Sequence, residues 1–330
     1  MRTFFKVVGI VVLVLFALAG IAVSYLALRK PAQRPPIAQP VTATPERLAR
    51  GRYLVHHVSI CFDCHSERTS AYGLPFKPGR EGVGGFVWND KMGFPGVLAA
   101  SNLTPDTETG LGNWTDGEIL RAMREGVDRE GNALFPIMPY RHYRHMSDED
   151  AASVVTYLRT LRPVRYAKPA KSLNPPLNFI EKFIPQPVEE PVTAPSPSNH
   201  LAYGKYLVTI AACAECHTPK DDKGNPLPGQ DFAGGWEMLT PEFRVVTANI
   251  TPHPATYMGQ ATKDEFIARF RAFSNYTAET APPAPKGKNT LMPWIAYSGL
   301  TDEDLGAIYD YLKTVAPVAK TVNPFPDAPL

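Results

Sequence analysis

Cys61-Phe62-Asp63-Cys64-His65 recurs in form as Cys213-Ala214-Glu215-Cys216-His217, and these two pentapeptides contain all four cysteines of the chain. Cys-x-x-Cys-His is the pattern of covalent haem attachment: two thiols add to the haem vinyl groups, and the adjacent histidine is placed to ligate the iron. Other uses of these cysteines fit less well. A structural zinc site would set its two Cys-x-x-Cys pairs about 15–20 residues apart, whereas Cys64 and Cys213 lie 149 positions apart. A thioredoxin-like redox motif accounts for one copy but not for two that both end in histidine. Local disulfides account for neither histidine. Cys61, Cys64, Cys213 and Cys216 are therefore read as thioether cysteines of two covalently bound haem c groups, and His65 and His217 as the first axial ligands.

Composition bounds the rest. The chain has 330 residues with a formal charge of +2, so it has no general pull toward nucleic acid, and none is expected as a partner. A hydrophobic content of 44% suffices for packed cores, and 34 prolines suit long loops around a cofactor. Val7 to Leu28 runs 22 residues without a charge. About 20 apolar residues span a bilayer, so residues 1–30 read as an N-terminal membrane anchor. A cleaved signal is the competing reading, with Ala17-Leu18-Ala19 as its cleavage site. The apolar run continues nine residues past Ala19, further than a signal needs. Residues 31–45, rich in proline, read as a tether.

Beyond the tether the chain is an internal repeat. Gly51-Arg52-Tyr53-Leu54-Val55 answers to Gly204-Lys205-Tyr206-Leu207-Val208. Gly84-Gly85-Phe86 answers to Gly234-Gly235-Trp236, and Asn102-Leu103-Thr104-Pro105 to Asn249-Ile250-Thr251-Pro252. Met138-Pro139-Tyr140 answers to Met292-Pro293-Trp294. Ser147-Asp148-Glu149-Asp150 answers to Thr301-Asp302-Glu303-Asp304. The order is the same throughout. Two domains are expected, 46–163 and 201–317, separated by a Pro-rich linker over 164–200 and succeeded by a tail over 318–330. Nine prolines between Pro163 and Pro197 exclude a long regular element from the linker, leaving either a flexible connection or an ordered strap.

Each copy reads as three main helices in an all-α fold with long loops around a haem. The first begins near Glu46 or Leu201 and runs into the haem motif. The second opens on a capping box, Thr115 with Glu118 or Thr262 with Glu265. Ile119, Leu120 and Met123, or Phe266, Ile267 and Phe270, then recur at helical spacing. The third opens on Ser147 or Thr301 as N-cap, with acidic residues in its first turn. Pro163 and Pro317 end it.

Haem iron in an electron carrier takes a second protein ligand, and methionine raises its potential. Met123 sits on a helical stripe and Met146 just before an N-cap, so both read as packing residues. Met138 and Met292 sit in loops before proline, 73 residues after His65 and 75 after His217. That matched placement selects Met138 and Met292 as distal ligands. The rival histidines His142 and His145 have no counterpart in the second copy, where Ala296 and Gly299 stand. They read as surface residues, and His56 and His57 as solvent-side or packing residues.

The block Asn102-Leu103-Thr104-Pro105-Asp106, then Thr109-Gly110-Leu111-Gly112, Trp114-Thr115 and Met138-Pro139-Tyr140, resembles the cytochrome c subunits of membrane-bound bacterial alcohol, gluconate and aldehyde dehydrogenases. The resemblance covers most of residues 46–163 and, more loosely, 201–317. With the repeat and the N-terminal apolar run, it gives two tandem cytochrome c domains behind a transmembrane helix, the single N-terminal anchor being a departure from the family. It also implies an electron-transfer protein rather than an enzyme, in the bacterial inner membrane with its haem domains in the periplasm. A periplasmic or membrane dehydrogenase would be the donor, and a quinone, soluble cytochrome or terminal oxidase the acceptor. Those subunits often carry three haems; this chain has two motifs. A dihaem subunit of a terminal oxidase is the alternative. A dihaem peroxidase fits less well, because the matched methionines argue against an open iron.

Overall fold

The computed structural model describes residues 1–221 and 224–326, so the end of the tail expected over 318–330 lies outside the described residues. The fold is mainly helical, and a single apolar helix stands at its N-terminus. That helix, α1 (Arg2–Leu28), has a mean hydropathy of 2.9 and buries none of its residues. It is the one helix among the described residues long and apolar enough to cross a membrane.

The body begins with α2 (Pro45–Tyr53), which opens on Thr44 as N-cap with proline in the first turn, an arrangement that costs the helix no hydrogen bond. A π-helical turn over 54–58 and the short α3 (Cys61–Cys64) come after it. Two short strands are next, β1 (Val87–Trp88) and β2 (Gly96–Ala99), then α4 (Asp116–Glu125), α5 (Tyr140–Tyr143) and α6 (Asp148–Leu158). The linker region holds β3 (Ser172–Leu173) and α7 (Leu177–Ile180). The second half repeats the pattern with one short helix, α10, added. It runs α8 (His200–Ile210), α9 (Cys213–His217), β4 (Glu237–Leu239), β5 (Arg244–Val246), α10 (Tyr257–Gln260), α11 (Lys263–Arg271), α12 (Trp294–Tyr297) and α13 (Asp302–Leu312). The strands form an antiparallel β1–β2–β3 sheet and a separate β4–β5 hairpin.

In each half the first helix packs on the last, α2 on α6 and α8 on α13. Glycine is needed at the crossing. A Cβ on Gly51 would lie 1.9 Å from the Ser153 carbonyl oxygen, and one on Gly204 would lie 2.0 Å from that of Ala307. This is the physical content of the first repeated block. Both capping boxes form as expected, with Thr115 and Glu118 satisfying each other's backbone N–H, and Thr262 and Glu265 doing the same. Ser147 and Thr301 cap α6 and α13.

The structure departs from the sequence reading at several points. The first helix does not run unbroken into the motif. It stops at Ser59 and Ala211, and the chain turns through Ile60 and Ala212, both with left-handed backbones (φ 44° and 54°). The all-α expectation missed the two small sheets, whose strands are too short to show an alternating pattern. It also missed α5 and α12, single turns after the Met-Pro pairs. Residues 30–41, most of them in the segment read as a tether, are laid along the first half. Lys30 bonds Asn132 (2.6 Å), Arg34 pairs with the buried Glu125 (2.7 Å), and the Val41 N–H donates to Asp116 (2.9 Å). The Pro-rich segment is likewise strapped to that half through Arg144–Gln186, Asp148 N–H to the Val192 carbonyl, and Lys171 to the Ala133 carbonyl (3.0 Å).

The halves meet by exchanging tyrosines. Tyr53, in the first half, donates to Asp304 (2.6 Å) and accepts from the Thr301 N–H (3.1 Å) at the start of α13. Tyr206, its repeat counterpart, donates to Asp150 (2.6 Å) and accepts from the Ser147 N–H (3.0 Å) at the start of α6. Each half thus supplies a side-chain partner to the last helix of the other. His57 adds a bond to the Ala296 carbonyl (2.8 Å), and His142 one to Glu215 (2.7 Å), across the same boundary. His142 is therefore a boundary residue rather than a free surface one. His56 packs inside its own half, bonding the Tyr157 hydroxyl (2.7 Å).

Candidate haem-binding sites

The left-handed turns at Ile60 and Ala212 swing the two motifs off the ends of the first helices. In each half a tyrosine from the short helix after Met-Pro holds the turn. Tyr143 donates to the Ser59 carbonyl (2.7 Å) and Tyr297 to that of Ala211 (3.1 Å). Burial raises both phenols well above their ordinary pKa, so they remain neutral donors.

The motif histidines are held alike. His65 Nδ1 lies 2.6 Å from the Ser101 carbonyl oxygen, and His217 Nδ1 lies 2.7 Å from that of Ala248. A carbonyl can only accept, so Nδ1 carries the proton and Nε2 keeps its lone pair. Burial lowers both imidazoles, His65 to about 4, against the opposing pull of the carbonyl. Both are thus neutral at physiological pH. A neutral imidazole with Nδ1–H anchored to a carbonyl and Nε2 free is the form that ligates a metal.

The remaining repeated blocks build that anchor. Strands β2 and β5 lead directly into Ser101 and Ala248, so the hairpins deliver the two carbonyls. The Gly84 and Gly234 N–H groups donate to the His65 and His217 carbonyls, each at 2.7 Å. Both glycines have positive φ, and a Cβ would meet the Ala100 carbonyl oxygen at 2.9 Å or the Ala248 carbonyl at 2.4 Å. The side chain of Asn102 then takes the Thr104 N–H (2.9 Å) and hydroxyl (2.7 Å) and donates to the Val164 carbonyl (2.7 Å). Asn249 repeats this with Thr251 and with the Val318 and Lys320 carbonyls. The Asn-x-Thr block therefore ties the histidine's acceptor segment to the chain leaving the last helix. Sequence reading used these blocks to find the repeat without seeing this role; their shared position after each motif was the available signal.

No disulfide links the four cysteines, which are half-buried. Burial pushes the Cys61, Cys64 and Cys213 thiols up to about 12 and Cys216 to about 11, so they are neutral. Met138 and Met292 are half-buried against the same apolar core as Cys61 and Cys213, while Met123, Met146 and Met258 are buried within it. Met92 lines a surface cleft with Glu67, Gly85 and Phe86. Among the described residues no group of three or more His, Cys, Asp or Glu could hold a metal ion by itself. Paired thiols, a neutral imidazole with a free Nε2 and a thioether make a donor set that fits covalent haem.

A twice-repeated thiol-thiol-imidazole cradle in a mainly helical fold defines a haem-c-binding protein. The sequence profile of the family described as Cytochrome c matches residues 201–316. A diheme cytochrome c-type protein of Cereibacter sphaeroides is 30% identical over 231 residues, covering 67% of this chain and 72% of that one. The fructose dehydrogenase cytochrome subunit of Gluconobacter japonicus is 28% identical, covering 86% of this chain. The gluconate 2-dehydrogenase cytochrome c subunit of Pantoea cypripedii is 28% identical over 81% of this chain. This chain spans 57% of the fructose dehydrogenase subunit and 59% of the gluconate 2-dehydrogenase subunit. The chain belongs to the cytochrome c family. Covalently bound haem c and electron transfer go with that membership.

Proposed function

We propose that the protein is a membrane-anchored dihaem electron carrier that passes electrons from a partner dehydrogenase to the respiratory chain. Residues 46–163 and 201–317 each form a cytochrome c domain. Cys61 and Cys64 hold one haem, Cys213 and Cys216 the other. His65 with Met138, and His217 with Met292, would supply the protein ligands to the two irons. Helix α1 crosses the inner membrane, and the haem domains lie in the periplasm.

The observation that carries this reading is the equivalent anchoring of both motif histidines, Nδ1 to a backbone carbonyl at 2.6 and 2.7 Å. Haem bound at such a site cycles between ferrous and ferric, and a thioether ligand favours the ferrous state. The chain's own task is to keep its ligands still. The Gly84 and Gly234 N–H bonds, the Asn102 and Asn249 ties and the Tyr143 and Tyr297 bonds all restrain the backbone around the histidines. The tyrosine exchange keeps the two sites in one register, which supports passage of electrons between them. The relatives named as cytochrome subunits of dehydrogenases support the choice of donor.

A pyridine haemochrome assay on denatured protein tests the central claim. Two haems per chain, resistant to acid-acetone extraction, are expected. One haem, or extractable haem, overturns the reading.

A further inference from the structure

The turn after α7 has its polarity inverted. Glu181 points inward, nearly fully buried and paired with Lys171 at 2.8 Å. Ile180 and Phe183 point outward, 48% and 49% exposed. A surface turn of a water-facing domain does the opposite. The same turn touches the end of α1. Lys182 Nζ donates to the last carbonyls of that helix, at 2.6 Å to Ala27 and 3.2 Å to Leu26, and the Arg29 guanidinium lies 4.3 Å above the Phe183 ring.

These contacts fix the depth of the turn. The uncharged run Val7–Leu28 spans about 33 Å as a helix at 1.5 Å per residue, close to the roughly 30 Å hydrocarbon core of a bilayer. Its end therefore marks a membrane–water boundary, and Ile180 and Phe183 sit at that level. Arg29, Lys30 and Lys182 make a basic collar at the same height, suited to anionic lipid headgroups. Tyr25, 60% exposed one turn below, supplies an aromatic of the kind enriched at such boundaries.

We propose that residues 177–183 form a second membrane contact, a foot whose Ile180 and Phe183 enter the outer headgroup region of the bilayer that α1 crosses. The proposal rests on the reading of α1 as an anchor. Together, the helix and the foot make two attachment points, which set the height and tilt of the first half above the lipid. A single flexible anchor would leave both free.

Site-directed spin labelling of the full-length holoprotein tests this in nanodiscs of equal parts phosphatidylcholine and phosphatidylglycerol, with no partner protein present. Labels are placed at Ile180→Cys, Phe183→Cys, Leu18→Cys in the middle of α1, and Glu279→Cys on the exposed surface of the second half. Haem content is measured for each to show that the added thiol leaves attachment intact. The ratio of oxygen to nickel-chelate collisions at positions 180 and 183 should be several-fold above that at 279 and below that at 18. A lipid-buried label at 18 with water-like labels at 180 and 183 overturns the foot and leaves the anchor standing; a partner subunit would then be what covers this face. A water-like label at 18 overturns both.

Discussion

At the scale of single residues the repeat separates the methionines proposed as ligands from those that pack. Met123, Met146 and Met258 fill the core, while Met138 and Met292 stand half-buried at equivalent places against it. Replacing Met138 or Met292 by Ala should leave both haems covalently bound. Each change should also remove about half of the weak far-red absorption of thioether-ligated ferric haem and lower the potential of its own haem, because thioether ligation raises it. Spectroelectrochemistry of the single variants checks this; both keeping the full band would reassign the ligands. Glu215 makes a second residue-level case. Burial works to raise its carboxyl, but His142 and Lys220 outweigh burial and hold it at about 2. Its folded pKa lies below the ordinary 4.5, so the stability it contributes is complete above that value and is lost as pH falls from there toward 2. Glu215→Gln should be less stable than the parent at neutral pH, and the gap should narrow as pH falls below 4.5 toward about 2. A gap independent of pH in denaturant titrations would show that the charge is not what matters.

At the scale of elements the helix crossing is the most constrained feature. Gly51→Ala and Gly204→Ala each force a methyl to within about 2 Å of a backbone carbonyl. Backbone cannot yield as a side-chain tip can, so each should cost at least the 1–3 kcal/mol typical of overpacking, read as a lower unfolding midpoint. A change under about 0.5 kcal/mol would mean that α2 and α6, or α8 and α13, can slide apart freely. The elements also mark how far sequence reading reaches. Capping boxes, N-caps and core stripes are local, spelled within four to eleven residues, and the structure has them where the sequence puts them. The turns at Ile60 and Ala212 are not legible, because neither residue favours a left-handed backbone on its own. The conformation is held by Tyr143 and Tyr297, more than 80 residues away. Strands β1 and β3 have two residues each, too few for any period. The paired cysteines and histidines stand out in the sequence because covalent haem chemistry demands particular atoms at fixed spacing. The Ser101 and Ala248 acceptors were not, because a backbone carbonyl leaves no trace in residue identity.

At the scale of the whole molecule the two halves are held by reciprocity. Tyr53 and Tyr206 occupy the same place in the repeat, yet each bonds the helix start of the opposite half. Burial raises both phenols above their ordinary range, with Asp304 and Asp150 adding to the effect, so both stay protonated donors across the physiological range. Tyr53→Phe leaves Asp304 and the Thr301 N–H without the hydroxyl that joins them; Tyr206→Phe strands the Ser147 N–H, while Asp150 loses one donor and keeps its two bonds to Arg50. Each single change should cost about 1–3 kcal/mol, the penalty for stranding buried polar groups. The pair carries more information than either change alone. Both tyrosines close one boundary, so a half loosened by losing one no longer holds the other in register. The double variant should therefore cost less than the sum of the two, by more than the roughly 0.5 kcal/mol within which independent sites add. Denaturant unfolding of the parent, both singles and the double completes the cycle. Additivity within that limit would show that the two caps act separately and that the halves are joined elsewhere, through His57–Ala296 and His142–Glu215.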